Sequence, residues 1–363
     1  MPKSLVLCCD GTWNTPDQKR PTNVTKVALA VAETNDSGEP QRTLYHRGVG
    51  SSVGERFRGG AFGYGLSRNV RQVYRFLVEN YEPGDRLYFF GFSRGAFTAR
   101  STAGFVRNCG ILRRSESDRV DEAYDLYRSK KPGTRPRSVE ASLFRRAYSH
   151  EPRIRFIGVW DTVGALGVPL NGLLLSSWIN RRWQFHDTEL SSHVDAAFHA
   201  LAIDEQRGPF EPTLWTRQPE ARAQQVLEQV WFSGVHCDVG GGNPEHGLSD
   251  IPLLWMVSRA RGCGLRFTPE AFTRGVDSTS SETEQLTRVA PDPLAGFSDS
   301  RTGMYRCIRR HRRTLGTSHR GNEFVSSSAL FRLQTLPDYR PVGLDGYPER
   351  DQPPVMTVES ANP

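Results

Sequence analysis

Along the chain, short unbroken apolar runs alternate with stretches of helical spacing. Ser4 to Cys9 is a continuous apolar run, the pattern of a central strand covered on both faces, and it stops at Asp10-Gly11-Thr12-Trp13-Asn14. Thr22 to Val31 has helical spacing, with Thr22 or Asn23 as its cap. Gln41 to Tyr45 reads as a short second strand, and a glycine-rich loop follows from Gly48 to Gly65. Leu66, Val70, Val73, Tyr74, Leu77 and Tyr81 recur at three- and four-residue steps, which predicts a helix ended by Glu82-Pro83-Gly84-Asp85. A third strand, Arg86 to Phe90, runs into Ser93, and Thr98 to Cys109 predicts the next helix.

The second half is less regular. Arg114 to Ser149 is charged and predicts helix broken at Lys130-Lys131-Pro132-Gly133, a surface insertion. Ile154 to Trp160 is an apolar strand ending in Asp161-Thr162-Val163-Gly164. Pro169 to Phe185 carries Leu173-Leu174-Leu175, Trp178 and Trp183, a candidate lid over a site. Val194 to Leu201 predicts a helix. Gln229 to Val235 reads as the last strand and leads into His236-Cys237-Asp238-Val239-Gly240-Gly241-Gly242. Ser249 to Arg261 predicts a helix, with Ser249 or Asp250 as cap and Pro252 in its first turn. The alternation predicts an α/β fold: a mostly parallel sheet with helices on both faces. The expectation is a single domain over residues 1–363, with a core at about 4–262 and insertions at 110–150 and 165–190. Residues 263–363 are expected to pack on that core as a loop-rich extension.

Composition changes this picture little. The chain has 363 residues, 37% hydrophobic and 24% charged, which suits one large globular α/β domain and excludes a disordered or fibrous class. The six cysteines form no CxxC pair, so buried free thiols are expected rather than a zinc site or disulfide framework. No apolar run is long enough to cross a membrane, and the first is too short for a signal-peptide core, so a cytoplasmic location is expected. The formal charge of +7 is concentrated between Arg306 and Arg313, a solvated basic loop or a point of contact with an anionic membrane surface. No nucleic-acid motif accompanies it, so no nucleic-acid partner is expected.

The candidate chemistry sits at strand ends, where open α/β sheets bind their ligands. Asp10, Ser93, Asp161 and His236 each follow a predicted strand. Gly91-Phe92-Ser93-Arg94-Gly95 is a GxSxG, weak as a pentapeptide, but the strand before it and the helix after it make a nucleophile elbow. A serine hydroxyl needs a base, and the base needs a group to orient it. His236 is the candidate base; His199 falls in a predicted helix, His246 in a loop, and His311 and His319 in the basic tail. Asp161 is the candidate orienting acid, and Asp238 the rival, expected instead to cap the glycine turn after it. The oxyanion hole would take backbone N–H groups from Arg94 and from Gly11 or Thr12, with Asp10 turned away to brace that loop. This chemistry needs no cofactor. Two other readings use the same residues: a metal-dependent hydrolase with Asp10, His236, Asp238 and Asp161 as ligands, or a catalytically silent protein docking anionic partners.

These blocks resemble a known family, the catalytic domain shared by type VI secretion lipase effectors of the first class and their bacterial and fungal relatives. The resemblance rests on Leu7-Cys8-Cys9-Asp10-Gly11-Thr12-Trp13-Asn14, Gly48-Val49-Gly50, Gly84-Asp85 through Gly91-Phe92-Ser93-Arg94-Gly95-Ala96, Val159-Trp160-Asp161-Thr162-Val163, Trp231 through Gly242, and Leu248-Ser249-Asp250-Ile251. It implies an α/β-hydrolase fold, a triad on Ser93, Asp161 and His236, and phospholipase A activity on a lipid or smaller ester. No separate membrane-binding module is expected after the catalytic region.

Overall fold

The computed structural model describes residues 1–11, 20–48, 61–163 (61–64 by backbone alone), 189–274, 281–301, 306, 310–317, 322–345 and 354–358. Thr12, most of the glycine-rich loop, the apolar stretch proposed as a lid, Cys307 and His319 lie outside them.

In chain order the strands are β1 (Ser4–Cys9), β2 (Gln41–His46), β3 (Arg86–Phe92), β4 (Ile111–Leu112), β5 (Ser149–His150) and β6 (Ile154–Trp160). They continue with β7 (Glu189–Leu190), β8 (Val194–Ala202), β9 (Thr216–Arg217), β10 (Val226–Phe232), β11 (Glu323–Ser326) and β12 (Val355–Met356). Eight of them form one sheet in the order β12-β11-β10-β8-β6-β3-β1-β2, and its ladders are parallel throughout. β4 pairs with β5, and β7 with β9, as small ribbons at the side.

Side chains alternate along each strand, so a strand buried on both faces feeds two cores. In β1, Leu5 and Leu7 join a cluster with Tyr74 and Leu77 of α2 (Ala61–Asn80) and Phe105 of α3 (Arg94–Cys109). Val6 and Cys8 join the opposite cluster with Val24 and Val27 of α1 (Asn23–Ala30). The insertion between α3 and β6 folds as a 3-10 turn followed by α4 (Val120–Arg128) and α5 (Val139–Tyr148), with the helix interrupted around Lys130-Lys131-Pro132-Gly133 as expected.

Two expectations are corrected. Val194–Ala202 is a strand at the middle of the sheet rather than a helix. Its alanine spacing fits either period, but Ala196, Phe198, Ala200 and Ala202 all enter one cluster while Ala197 enters the other, the two-residue alternation of a pleat. Nor is β10 the last strand. The C-terminal residues add β11 and β12 to the sheet edge, with Gln229 to Trp231 paired to Glu323 to Val325. The remaining helices among the described residues are α6 (His236–Gly240), α7 (Gly247–Gly262), α8 (Glu282–Thr287) and α9 (Ser327–Thr335). Among the described residues the cysteines are free, and no helix is long and apolar enough to cross a membrane.

Candidate active site

Because the sheet is parallel, the ends of β1, β3, β6 and β10 open on the same side. Asp10, Ser93 and Asp161 each stand one residue beyond their strands. His236 does not: β10 ends at Phe232, and Ser233-Gly234-Val235 turn the chain so that His236 starts α6.

Ser93 joins β3 to α3 with φ 57° and ψ −121°, a conformation costly for a residue with a side chain. Its neighbours must therefore be bare. A Cβ at Gly91 would lie 2.6 Å from the Ala96 Cα, and one at Gly95 would lie 2.0 Å from the Cys9 carbonyl oxygen. The two glycines let the elbow close against the end of β1, while the Ser93 N–H donates to the Trp160 carbonyl at 3.1 Å. α3 starts at Arg94, four residues earlier than the helical spacing suggests, so the N-terminus of the helix follows the serine directly.

The imidazole of His236 bridges the serine and the acid. Its Nε2 lies 2.8 Å from Ser93 Oγ, and its Nδ1 lies 2.6 Å from Asp161 Oδ2. A carboxylate at Nδ1 holds the ring proton there, which leaves Nε2 to accept from the hydroxyl. The rings of Phe92 and Phe210 pack on the imidazole at 4.7 and 4.8 Å between centroids, and the His236 N–H donates to Glu205 Oε2 at 3.3 Å.

Asp161 is fully buried and has φ 38°, the second non-glycine residue of the site in left-handed backbone. Burial alone would raise its pKa, but Arg313 and then His236 more than offset that and hold the carboxyl well below its ordinary range. Arg313 is the partner the sequence reading missed. Its Nη1 donates to Asp161 Oδ1 at 2.6 Å and its Nη2 to Oδ2 at 2.9 Å, a two-pronged grip on the acid. The same guanidinium donates to the carbonyls of Ala202 and Phe210, each at 2.6 Å, and its side chain is 1% exposed. The basic run is therefore not uniformly solvated: Arg306, Arg310 and Arg312 are exposed, whereas Arg313 is in the core.

The other candidates are placed differently. Asp238 lies on a turn of helix, not an extended segment. It accepts from the Val235 N–H at 3.0 Å, from Asn243 at 3.0 Å and from the Ser298 N–H at 3.2 Å, so it braces the turn before His236 as well as the glycine turn that ends at Asn243. Asp10 accepts from Thr22, Tyr45 and the Gly11 N–H at 2.6 Å each, and from Thr25 at 2.9 Å. With its own N–H engaged by Asp10, Gly11 is not poised as an oxyanion donor; Thr12 lies outside the described residues. His199 is a buried strand residue whose Nε2 accepts from the Thr162 N–H at 3.1 Å, fixing the turn after Asp161. Burial, and then the charge of Arg100, lowers its pKa to about 3, so it stays neutral there. Among the described residues no three His, Cys, Asp or Glu side chains are grouped to hold a metal ion. Asp10 and Asp238 each turn to protein donors instead of converging with His236, which leaves the metal-ligand reading without its ligand set.

Comparison with known proteins identifies a family. A family model described as the catalytic domain of Tle1-like phospholipase effectors of the type VI secretion system matches residues 3–259. An uncharacterised protein of Saccharomyces cerevisiae, YEL023C, is 30% identical over 240 residues, which are 60% of this chain and 33% of the yeast protein. Among solved structures, an uncharacterised Pseudomonas aeruginosa protein is 20% identical with a TM-score of 0.47, over 80% of this chain and 49% of that one. A Tle1 effector bound to the VgrG spike of a type VI secretion system is 19% identical with a TM-score of 0.36, over 67% of this chain and 52% of that one. The chain thus spans about a third of the yeast relative and about half of each solved chain. Arg313 lies beyond the matched residues. With residues 3–259 matched end to end, this chain belongs to the Tle1-like phospholipase effector catalytic-domain family.

Proposed function

We propose that this chain is a serine hydrolase that cleaves carboxylic esters of lipids, in the manner of a phospholipase A, through an acyl-enzyme on Ser93. The observation that carries the reading is the unbroken chain from Ser93 Oγ through His236 to Asp161, at 2.8 and 2.6 Å. Ser93 Oγ attacks the acyl carbonyl carbon while His236 Nε2 takes the hydroxyl proton. The tetrahedral oxyanion takes the N–H of Arg94, and Thr12, rather than the engaged Gly11, is left as the candidate second donor. Collapse of the intermediate expels the alcohol, which leaves with the proton from His236. A water then attacks the acyl-enzyme by the same proton route and releases the carboxylic acid. Asp161 stabilises the imidazolium formed at each step. The exposed guanidiniums of Arg306, Arg310 and Arg312 would favour approach to an anionic membrane, where such substrates reside.

The test is an active-site label. A fluorophosphonate probe is expected to modify Ser93, as read by mass spectrometry of the labelled peptide. Ser93→Ala is expected to abolish labelling and lower ester and phospholipid turnover on the order of a thousandfold or more. Full esterase activity in that variant would sink the proposal. A wild-type chain that takes no label and turns over no ester, yet binds anionic vesicles, would favour the docking-protein reading.

A further inference from the structure

A cavity of small-molecule size lies away from Ser93. It has a volume of about 980 Å³, within the range of small-molecule sites, and lies along the far part of α3. Its lining on α3 begins at Arg100 and ends at Asn108. At 1.5 Å per helical residue this is roughly 10 to 22 Å along the axis from Ser93.

The cavity exists because the helical layer stops short of the sheet on this side. α3 packs on β3, β1 and part of β6, while Val194 of β8, Leu190 of β7 and Trp215 line the cavity beside it. The floor is apolar: Ala103, Ile157, Leu190 and Val194, all buried. The walls are cationic. Arg100, Arg107, Lys130, Arg135 and Arg137 line the cavity against Glu189 and Glu220, five positive groups to two negative ones. Glu220 is already matched by Arg137 at 2.9 Å.

Two features of these walls are costly unless something occupies the space. Arg107 is half-buried, and burial followed by the charges of Arg145 and Arg137 lowers its pKa, with only Glu151 opposing; it stands in a field of like charge. Asn108 is 3% exposed, lines the cavity, and its Oδ1 is buried without a hydrogen-bond donor. A buried acceptor left without a donor costs about 1–3 kcal/mol, so an occupant that carries a hydroxyl beside its charge would be favoured here.

We propose that this cavity binds an anionic amphiphile: an aliphatic chain lying on the apolar floor and ending in a phosphate or carboxylate held by Arg107 and Arg135. Guanidinium groups bind both anions through paired hydrogen bonds, and the apolar floor selects against the bare ion. The site is distinct from the ester-cleaving one and does not depend on Ser93.

Calorimetric titration of the full Ser93→Ala chain reads binding without turnover. The probes are dodecyl phosphate and dodecanoate, each below its critical micelle concentration, beside dodecanol and inorganic phosphate. At least one anionic amphiphile is expected to bind tenfold or more tighter than both dodecanol and inorganic phosphate. Comparing the two distinguishes a phosphate head, as in a lysophospholipid, from a fatty carboxylate. Arg107→Gln is expected to weaken that binding at least tenfold. Arg135→Glu, an exposed rim substitution that spares the core, is expected to weaken it similarly. Dodecanol or inorganic phosphate binding as tightly as the amphiphiles would overturn the proposal. So would affinity unchanged in both variants.

Discussion

Two buried aspartates occupy equivalent places in the sheet, one residue past β1 and one past β6, and their surroundings give them opposite character. Asp161 faces a guanidinium and an imidazole, and these charges hold it ionised against the cost of burial. Asp10 is equally buried, but its donors are the hydroxyls of Thr22, Thr25 and Tyr45 and the Gly11 N–H. Burial outweighs those neutral donors and raises its pKa. A carboxylate that must stabilise a transient imidazolium needs its charge secured beforehand. One that ties a loop, a helix start and a neighbouring strand together needs hydrogen-bonding capacity, whatever its charge. Position at a strand end brings a residue to the site; its partners decide what it does there.

The largest effect should separate the two. Asp161→Asn keeps the shape but removes the charge and favours the wrong imidazole tautomer, so kcat/KM for an ester should fall about ten-thousandfold. Asp10→Asn keeps an acceptor for most of its donors and should lower kcat/KM by less than about tenfold, with its main cost in stability. Steady-state kinetics on both variants check this. Equal losses would mean that Asp10 belongs to the reacting machinery.

A smaller effect concerns the charge that secures Asp161. Arg313→Met leaves a buried carboxylate with only the His236 imidazole N–H beside it, and removing one member of a buried pair costs about 3–5 kcal/mol. Urea unfolding should report that loss. Asp161→Asn combined with Arg313→Met should cost less than the two separate losses added, because the residues share one interaction. If Arg313 also tempers the pull of Asp161 on the imidazolium, the acid limb of the kcat/KM profile should move to higher pH in Arg313→Met. A purely structural role would leave that limb in place. Because the folded pKa of Asp161 is depressed, its contribution to stability is present above about pH 4 and lost as the pH falls below that.

The contrast between Asp161 and Arg313 also marks how far the sequence could be read. β1, β3 and β6 were legible because strands buried on both faces are continuous apolar runs, and Ser93 because a glycine on either side of it has a steric cause. Val194–Ala202 was not: in Val-Asp-Ala-Ala-Phe-His-Ala-Leu-Ala the local spacing suits a helix, and only the pairing with β6 and β10 selects a strand. β11 and β12 have four and two residues, too few for any period to register. Arg313 was hidden for a stronger reason. It stands 152 positions from Asp161 in a run of arginines whose neighbours are solvated, and nothing local distinguishes the one that turns inward.

The smallest effect concerns a third acid, Asp204, one strand away and below the turn that carries His236. Its Oδ2 accepts from the Gly234 N–H at 2.7 Å and the Tyr339 hydroxyl at 2.9 Å. Burial raises its pKa to about 6, against the pull of those donors and of Arg332, so it resembles Asp10 rather than Asp161. The sign is opposite to that of Asp161. A raised folded pKa means that the folded chain binds the proton more tightly, so this stability is complete below about pH 4 and drains away as the pH rises through about 6. Asp204→Asn retains an acceptor and cannot ionise. Its stability relative to the wild type should therefore rise between pH 4 and pH 7, on the order of 1 kcal/mol after allowance for its partial exposure. Thermal unfolding of both chains across that range measures it. A difference that stays flat with pH would place Asp204 with the charge-secured acids, and would leave the character of each strand-end carboxylate to something other than its partners.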